Sequence, residues 1–337
     1  MPSDFLESPA AIAAIDDLLA AVGIQHGSRR SLRQTPRVDR RPAGSLAGHA
    51  VKPLQIARWK AKYPWLLHGF SARLGGVSTV FRTGRGSADL NLGFGPSDEA
   101  RNVEKNRERF VRAVAGVAAS KRVSLVTLKQ IHSSLVREVE SVPATTLKGD
   151  ALLTRQAGLL LGVQTADCVP VLVVDTRLRV VAAFHAGWRG TLARIVENGV
   201  GRMRAEFGSR VRDLSAAIGP AIGQCCYAVG EDLRFEFESQ FAYADSLFRE
   251  VYDSDPIREK YPMLFLTARA PGHSNIGPSL HLDLAEANRR QLLDAGLRGN
   301  TIHSLHLCTS CHPEQFFSHR AQHGFTGRMM SVIGVKP

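Results

Sequence analysis

The chain has 337 residues, 44% of them hydrophobic and 22% charged, a composition that suits a globular protein with ample length for a core. No run of 18 apolar residues occurs, which excludes a membrane-spanning helix, and Asp4, Glu7, Asp16 and Asp17 in and around the apolar stretch 10–22 argue against a secretory or transit leader. The net charge of +12 is concentrated, with ten basic residues against one acid between Arg29 and Lys62.

In chain order the first element is therefore an N-terminal extension, residues 1–62, with a short helix and then a basic flexible arm that carries Pro, Gly and Ser without a hydrophobic period. Such an arm touches anionic partners non-specifically. It lacks the basic-aromatic interleaving that single-strand binding uses, so specific nucleic-acid binding is not expected. A folded domain, residues 63–337, follows. Its apolar segments WLLHGFS (65–71), VSLVTLK (123–129), LLLGV (159–163), VPVLVVD (169–175), RVVAAFH (179–185), LSAAIG (214–219), MLFLT (263–267) and MMSVIGV (329–335) read as strands. Helical periods run over 103–114, 191–207 and 284–293. Strands and helices are mixed and the central pair forms a hairpin, so the class is α/β, a single-domain mixed layered fold.

An even turn centred on Thr176-Arg177 places Cys168 directly opposite His185, with Cβ atoms about 4.5 to 5.5 Å apart. A one-residue bulge would send them to opposite faces. Three polar stretches interrupt the apolar texture: Lys129 to His132 at a strand end, Thr165 to Cys168 before Pro170, and His185 to Gly190 running from a strand into a helix. They put two histidines and a cysteine at strand ends, where sites on sheets commonly form. Two imidazoles and a thiolate (His132, His185, Cys168) suit Zn²⁺ with a fourth position open for water. The competing chemistry is a Cys168 nucleophile with His185 or His132 as base and Asp167 as orienter. Spacing alone leaves the two even. Strand alternation sends Asp167 away from Cys168, toward the turn or a neighbouring histidine rather than the metal.

The strings HGFSARLGGVS (68–78), NLG (91–93), LKQIH (128–132), GDALLT (149–154), QTADCVPVLVVD (164–175), AFHAGWRGT (183–191), IGPAIGQCCYAVG (218–230), LDLAEANRRQL (282–292) and FFSHRAQHGFTGR (316–328) together resemble the laccase-domain family, whose members were labelled multicopper polyphenol oxidases and later purine nucleoside phosphorylases. The resemblance spans about 68 to 335. It implies β-sheets packed between helices and a zinc site at His132, Cys168 and His185. The implied activity is phosphorolysis of adenosine, inosine, guanosine and methylthioadenosine, with adenosine deamination as a second reaction; purine nucleosides and phosphate are the implied partners. Phosphate needs cationic donors, for which Arg73 and Arg189 rank ahead of Arg320 and Arg328, guanidinium forks matching phosphate oxygens. Asn91 of the NLG string joins them as a substrate-binding candidate.

Copper is the less favoured metal, because a multicopper cluster needs paired His-x-His elements and the chain has none. The Pro-Cys-x-x-Cys signature of zinc deaminases is also missing, so deamination would use another scaffold. Five cysteines, an odd number without secretory context, point to reduced thiols and a cytoplasmic location. Cys308-Thr-Ser-Cys311-His312 spells a haem attachment motif but reads as a fortuitous or redox pair, and Cys225-Cys226 as loop packing.

Overall fold

Strands that are apolar along their whole length need cover on both faces, and here it comes from stacking two sheets between helices. The computed structural model describes residues 50–81, 88–251 and 278–337. Its elements are α1 (Ala57–Lys62), β1 (Leu66–Phe70), β2 (Leu74–Ser78), α2 (Ala100–Ala115), α3 (Val117–Ser120), β3 (Ser124–Thr127), β4 (Val136–Glu138), β5 (Ala151–Thr154), β6 (Leu159–Thr165), β7 (Val169–Asp175), β8 (Val181–Ala186), α4 (Trp188–Leu192), α5 (Ile195–Phe207), β9 (Leu214–Ile218), β10 (Ala228–Val229), α6 (Glu231–Gln240), β11 (Phe248–Val251), β12 (Ser279–Leu282), α7 (Leu284–Asp294), β13 (Ile302–Ser304) and β14 (Met329–Val335). The expected strand 263–267 and the stretch 10–22 lie outside the described residues.

One sheet has the order β1-β14-β6-β3, a second β13-β9-β7-β8-β5-β4, and a small third β10-β12-β11. The first two face each other. Along β7 and β8 the alternation is complete: Leu172, Val174, Val181 and Ala183 meet Leu161, Val163 and Ile333 of the opposite sheet. Val171, Val173, Ala182 and Phe184 point the other way, onto Ile195, Val196, Val200 and Met203 of α5 and Leu284 and Ala287 of α7. On the far side α2 lays Phe110, Val111 and Val114 over Leu67, Leu160 and Val332. Each such Val or Leu contributes about 1.5 to 3 kcal/mol on burial. The result is a helix-sheet-sheet-helix stack, the mixed α/β layered class.

Two expectations change. The β7–β8 hairpin pairs Val174 with Val181 and Pro170 with His185, not Cys168 with His185. The turn is centred one residue later because Asp175 Oδ1 accepts the Arg177 and Leu178 amides at 2.8 Å each and Arg179 takes a left-handed φ of 56°. The register therefore moves by two, which keeps Cys168 on the His185 face but diagonal to it. The helix expected over 191–207 is divided into α4 and α5 at Arg194, whose φ is 54°.

The boundary at residue 62 also moves. Trp59 of α1 is 1% exposed, and its indole N–H donates to Ser215 Oγ of β9 at 2.9 Å. Arg58, Lys60 and Lys62 face solvent on the same helix. Their charge is a solvated helix face on the folded body; residues 1–49 of the arm lie outside the described residues.

Candidate metal centre

His185, the last residue but one of β8, lies on the face toward the other sheet and is 3% exposed. Its Nδ1 lies 2.9 Å from Oδ1 of Asp150, a fully buried carboxylate just before β5. The same carboxylate accepts the amides of Ile131, His132 and Ser133, the last two at 3.0 and 2.6 Å, and the Ser133 hydroxyl at 2.7 Å. Three successive N–H groups curled around an anion require a left-handed residue, and His132 supplies it at φ 58°. Asp150 thus folds the loop that carries one histidine while fixing the tautomer of the other, leaving His185 Nε2 free as a ligand. Sequence reading missed this residue as part of the site; a lone acid at the head of the apolar GDALLT string was the available signal.

Cys168 precedes β7. Its Sγ is 3.8 Å from His132 Nε2, the two imidazole centroids are 4.9 Å apart, and the ligand atoms of His132, Cys168 and His185 all lie within 4.8 Å of one another. Gly187 closes the cradle: a Cβ there would sit 2.9 Å from His132 Cδ2 and 3.2 Å from Cys168 Sγ. Burial opposes ionisation of Asp150, but the hydrogen bonds from His185 and Ser133 outweigh it and hold its pKa at about 2. Burial also opposes the Cys168 thiolate, yet the His185 charge and the His132 hydrogen bond bring the thiol down to about 6. His185 is lowered by burial and raised more strongly by Cys168 and Asp150, reaching about 9. A thiolate beside His132 and a protonated His185 held by a carboxylate becomes, once His185 gives up its proton to an incoming ion, a donor set that fits a soft or borderline divalent ion such as zinc.

The three residues line a cavity of about 560 Å³, shared with Phe94, Tyr227, His319, Arg320 and Arg328. Arg320 Nη1 donates to Ala228 O at 2.9 Å and its guanidinium lies over the Tyr227 ring. Arg328 Nη1 donates to Thr326 and Gly327 carbonyls at 3.3 and 3.1 Å. Each fork has five N–H donors, so both keep donors for an anion.

Of the four arginines expected from sequence, Arg320 and Arg328 line this cavity and Arg73 and Arg189 do not. Arg73 is 4% exposed and does not reach this cavity: it grips Asp89 through Nε and Nη2 at 3.0 and 3.2 Å, donates to Pro313 O at 2.7 Å and to Phe81 O, and lies over Phe317. It is a structural clamp. Arg189 is exposed and stacks on Trp188 outside the cavity lining, because the α4 turn carries it away from its neighbour His185. Asn91 is buried with both amide atoms engaged. Its Oδ1 accepts the Arg328 amide at 2.9 Å and its Nδ2 donates to Asp98 at 2.8 Å, so it positions Arg328 and leaves the main cavity to others. Asp167 lines the cavity at a φ of 91°, but its carboxylate accepts from Thr309 Oγ1 at 2.6 Å and the Arg320 amide at 2.7 Å. The histidine-orienting role falls to Asp150.

The family described as multi-copper polyphenol oxidoreductase laccase matches residues 67–336. A protein of Geobacillus stearothermophilus named purine nucleoside phosphorylase YlmD is 34% identical over 258 residues, 73% of this chain and 84% of its own length. A protein from an unknown prokaryotic organism, named adenosine deaminase RL5, is 31% identical over 78% of this chain and 96% of its own length. The crystal structure of Bacillus licheniformis hypothetical protein YfiH superposes with a TM-score of 0.69 at 30% identity, covering 85% of this chain and 97% of that one. Among the described residues no helix is long and apolar enough to cross a membrane.

Proposed function

This chain belongs to the multi-copper polyphenol oxidoreductase laccase family, and from that premise we propose that it is a zinc-dependent purine nucleoside phosphorylase of the cytoplasm. Its substrates are adenosine, inosine, guanosine and methylthioadenosine, with adenosine deamination as a side activity. The observation that carries the reading is the set His132, Cys168 and His185 opening on a cavity that also holds two arginines with donors to spare. Its volume lies in the roughly 300 to 1,000 Å³ range of small-molecule sites.

In phosphorolysis the bond from ribose C1 to the purine nitrogen breaks, a bond from C1 to a phosphate oxygen forms, and the leaving base takes up a proton. Arg320 and Arg328 hold the phosphate, since guanidinium donors match its oxygens and need no proton exchange to do so. The rings of Phe94 and Tyr227 offer apolar faces to the purine, and His319 brings to the same wall an imidazole able to hold or move a proton. Asp150 keeps His185 in one tautomer and His132 on its loop. His132, Cys168 and His185 would hold the zinc ion, which when bound would supply Lewis-acid polarisation of a substrate or water oxygen.

A second reading follows from the Cys168, His185 and Asp150 chain, which is also the arrangement of a cysteine hydrolase with Asp150 as orienter. One experiment separates the two. Protein purified without a histidine tag, given inosine and phosphate, is expected to release hypoxanthine and ribose 1-phosphate, and Arg320→Ala and Arg328→Ala to raise the KM for phosphate about tenfold or more, the loss of one charged hydrogen bond. Cys168→Ala lowers metal content and turnover together. Equal rates with and without phosphate, or full activity in metal-free protein, overturn the phosphorylase reading, and the latter favours the hydrolase.

A further inference from the structure

Four of the five cysteines take no part in the centre above, yet the fold gathers them. Cys225 and Cys226 follow the Gly-rich turn after β9, and Cys308 and Cys311 lie in the segment after β13, more than 80 residues later in the chain. Their four Sγ atoms lie within 4.8 Å of one another. The Cys311 sulfur is 3.3 Å from both Cys225 and Cys226, and the Gly223 amide donates to Cys308 Sγ at 3.2 Å. Gly223 packs closely against the cluster: a Cβ there would stand 3.2 Å from both Cys225 Sγ and Cys308 Cβ, tighter than side chains usually approach.

We propose that these four cysteines form a second, structural zinc site. Four thiolates around one zinc at about 2.3 Å stand about 3.8 Å apart, so the cluster needs only a small expansion to close tetrahedrally. An iron–sulfur cluster would spread its cysteines farther than a single ion does. Adjacent Cys225 and Cys226 are poor disulfide partners for each other, and none of the five cysteines is bridged. All four ligand positions come from protein, which marks a structural and not a catalytic ion. Binding converts four thiols to thiolates and releases four protons.

The site has a clear mechanical purpose. Ala221 and Leu307 to Thr309 are joined by a parallel bridge, with Ala221 N donating to Leu307 O at 3.2 Å and Thr309 N to Ala221 O at 2.9 Å. The first strip delivers Ile222 and Tyr227 to the cavity, and the second delivers Thr309 to Asp167, next to Cys168. An ion between the strips pins one cavity wall to the loop that carries Cys168.

The test counts metal where the first centre is disabled. Protein carrying Cys168→Ala, purified anaerobically without chelators, is expected to retain about one zinc per chain. Adding Cys308→Ser removes it, and the exposed Cys311→Ser alone weakens it without unfolding the chain. Cobalt loaded into Cys168→Ala protein shows intense thiolate-to-cobalt charge transfer, absent once Cys308→Ser is added. Zinc in Cys168→Ala protein also slows alkylation of the remaining thiols and raises the Tm. The proposal is overturned by Cys168→Ala protein that folds without metal and with four freely alkylated thiols, by a disulfide among the four in anaerobically purified protein, or by iron or copper in place of zinc.

Discussion

At the residue scale, the weight of the candidate centre falls on Asp150. It is fully buried and accepts from three loop amides, the Ser133 hydroxyl and the His185 ring, so it organises both histidines from one position. Asp150→Asn keeps the size but exchanges one acceptor oxygen for a donor that faces other donors. Metal affinity, read by competition with a chelator, is expected to fall about 10- to 100-fold, the usual effect of losing a group that orients a metal-bound histidine. Asp167→Asn is expected to leave that affinity unchanged, because its carboxylate serves Thr309 and Arg320 instead. The opposite ranking would return the orienting role to Asp167. His132, Cys168 and His185 were legible as polar residues at the ends of apolar runs. Asp150 was not, since its partners come from a different loop and a different strand.

Among the elements, α1 shows how charge in a sequence can mislead. Arg58, Lys60 and Lys62 make residues 57–62 look like the end of a basic arm, but the one-sided pattern places Trp59 against the six-stranded sheet. Trp59→Ala is expected to cost about 3 to 5 kcal/mol, as large aromatic truncations in cores do. Trp59→Phe, which keeps most of the ring but abandons the bond to Ser215 Oγ, should cost about 1 kcal/mol. Urea denaturation read by fluorescence and circular dichroism checks both, and a Trp59→Ala cost below about 1 kcal/mol would put α1 back in the arm. The hairpin teaches a related lesson about turns. Strand identity in β7 and β8 was readable from Val-rich runs, whereas the register depended on which side chain captured the turn amides, and Asp175 moved it by two residues.

For the whole molecule, the inter-sheet layer holds an acid-sensitive group. His68 of β1 is buried, its Nε2 accepts the Ile56 amide at 2.9 Å, and burial together with the Lys60 charge lowers its pKa to about 4. In the unfolded chain the same imidazole titrates near 6.5, so between about pH 6.5 and 4 the unfolded state binds more protons than the native one. Stability from this group is complete above that window and is lost as pH falls through it. The Tm of the native protein should therefore drop more steeply from pH 6.5 to 4 than that of His68→Gln; parallel curves would remove His68 from the account. The sequence by itself determined the layered α/β class, the main strands, and the three metal-ligand candidates, because burial periodicity and polar interruptions are local properties of a chain. Only the tertiary structure decided that Arg320 and Arg328, rather than Arg73 and Arg189, reach the cavity, and that Cys225, Cys226, Cys308 and Cys311 converge. Direction and distance between remote segments follow from how sheets stack and loops close, and no local pattern of residues encodes them.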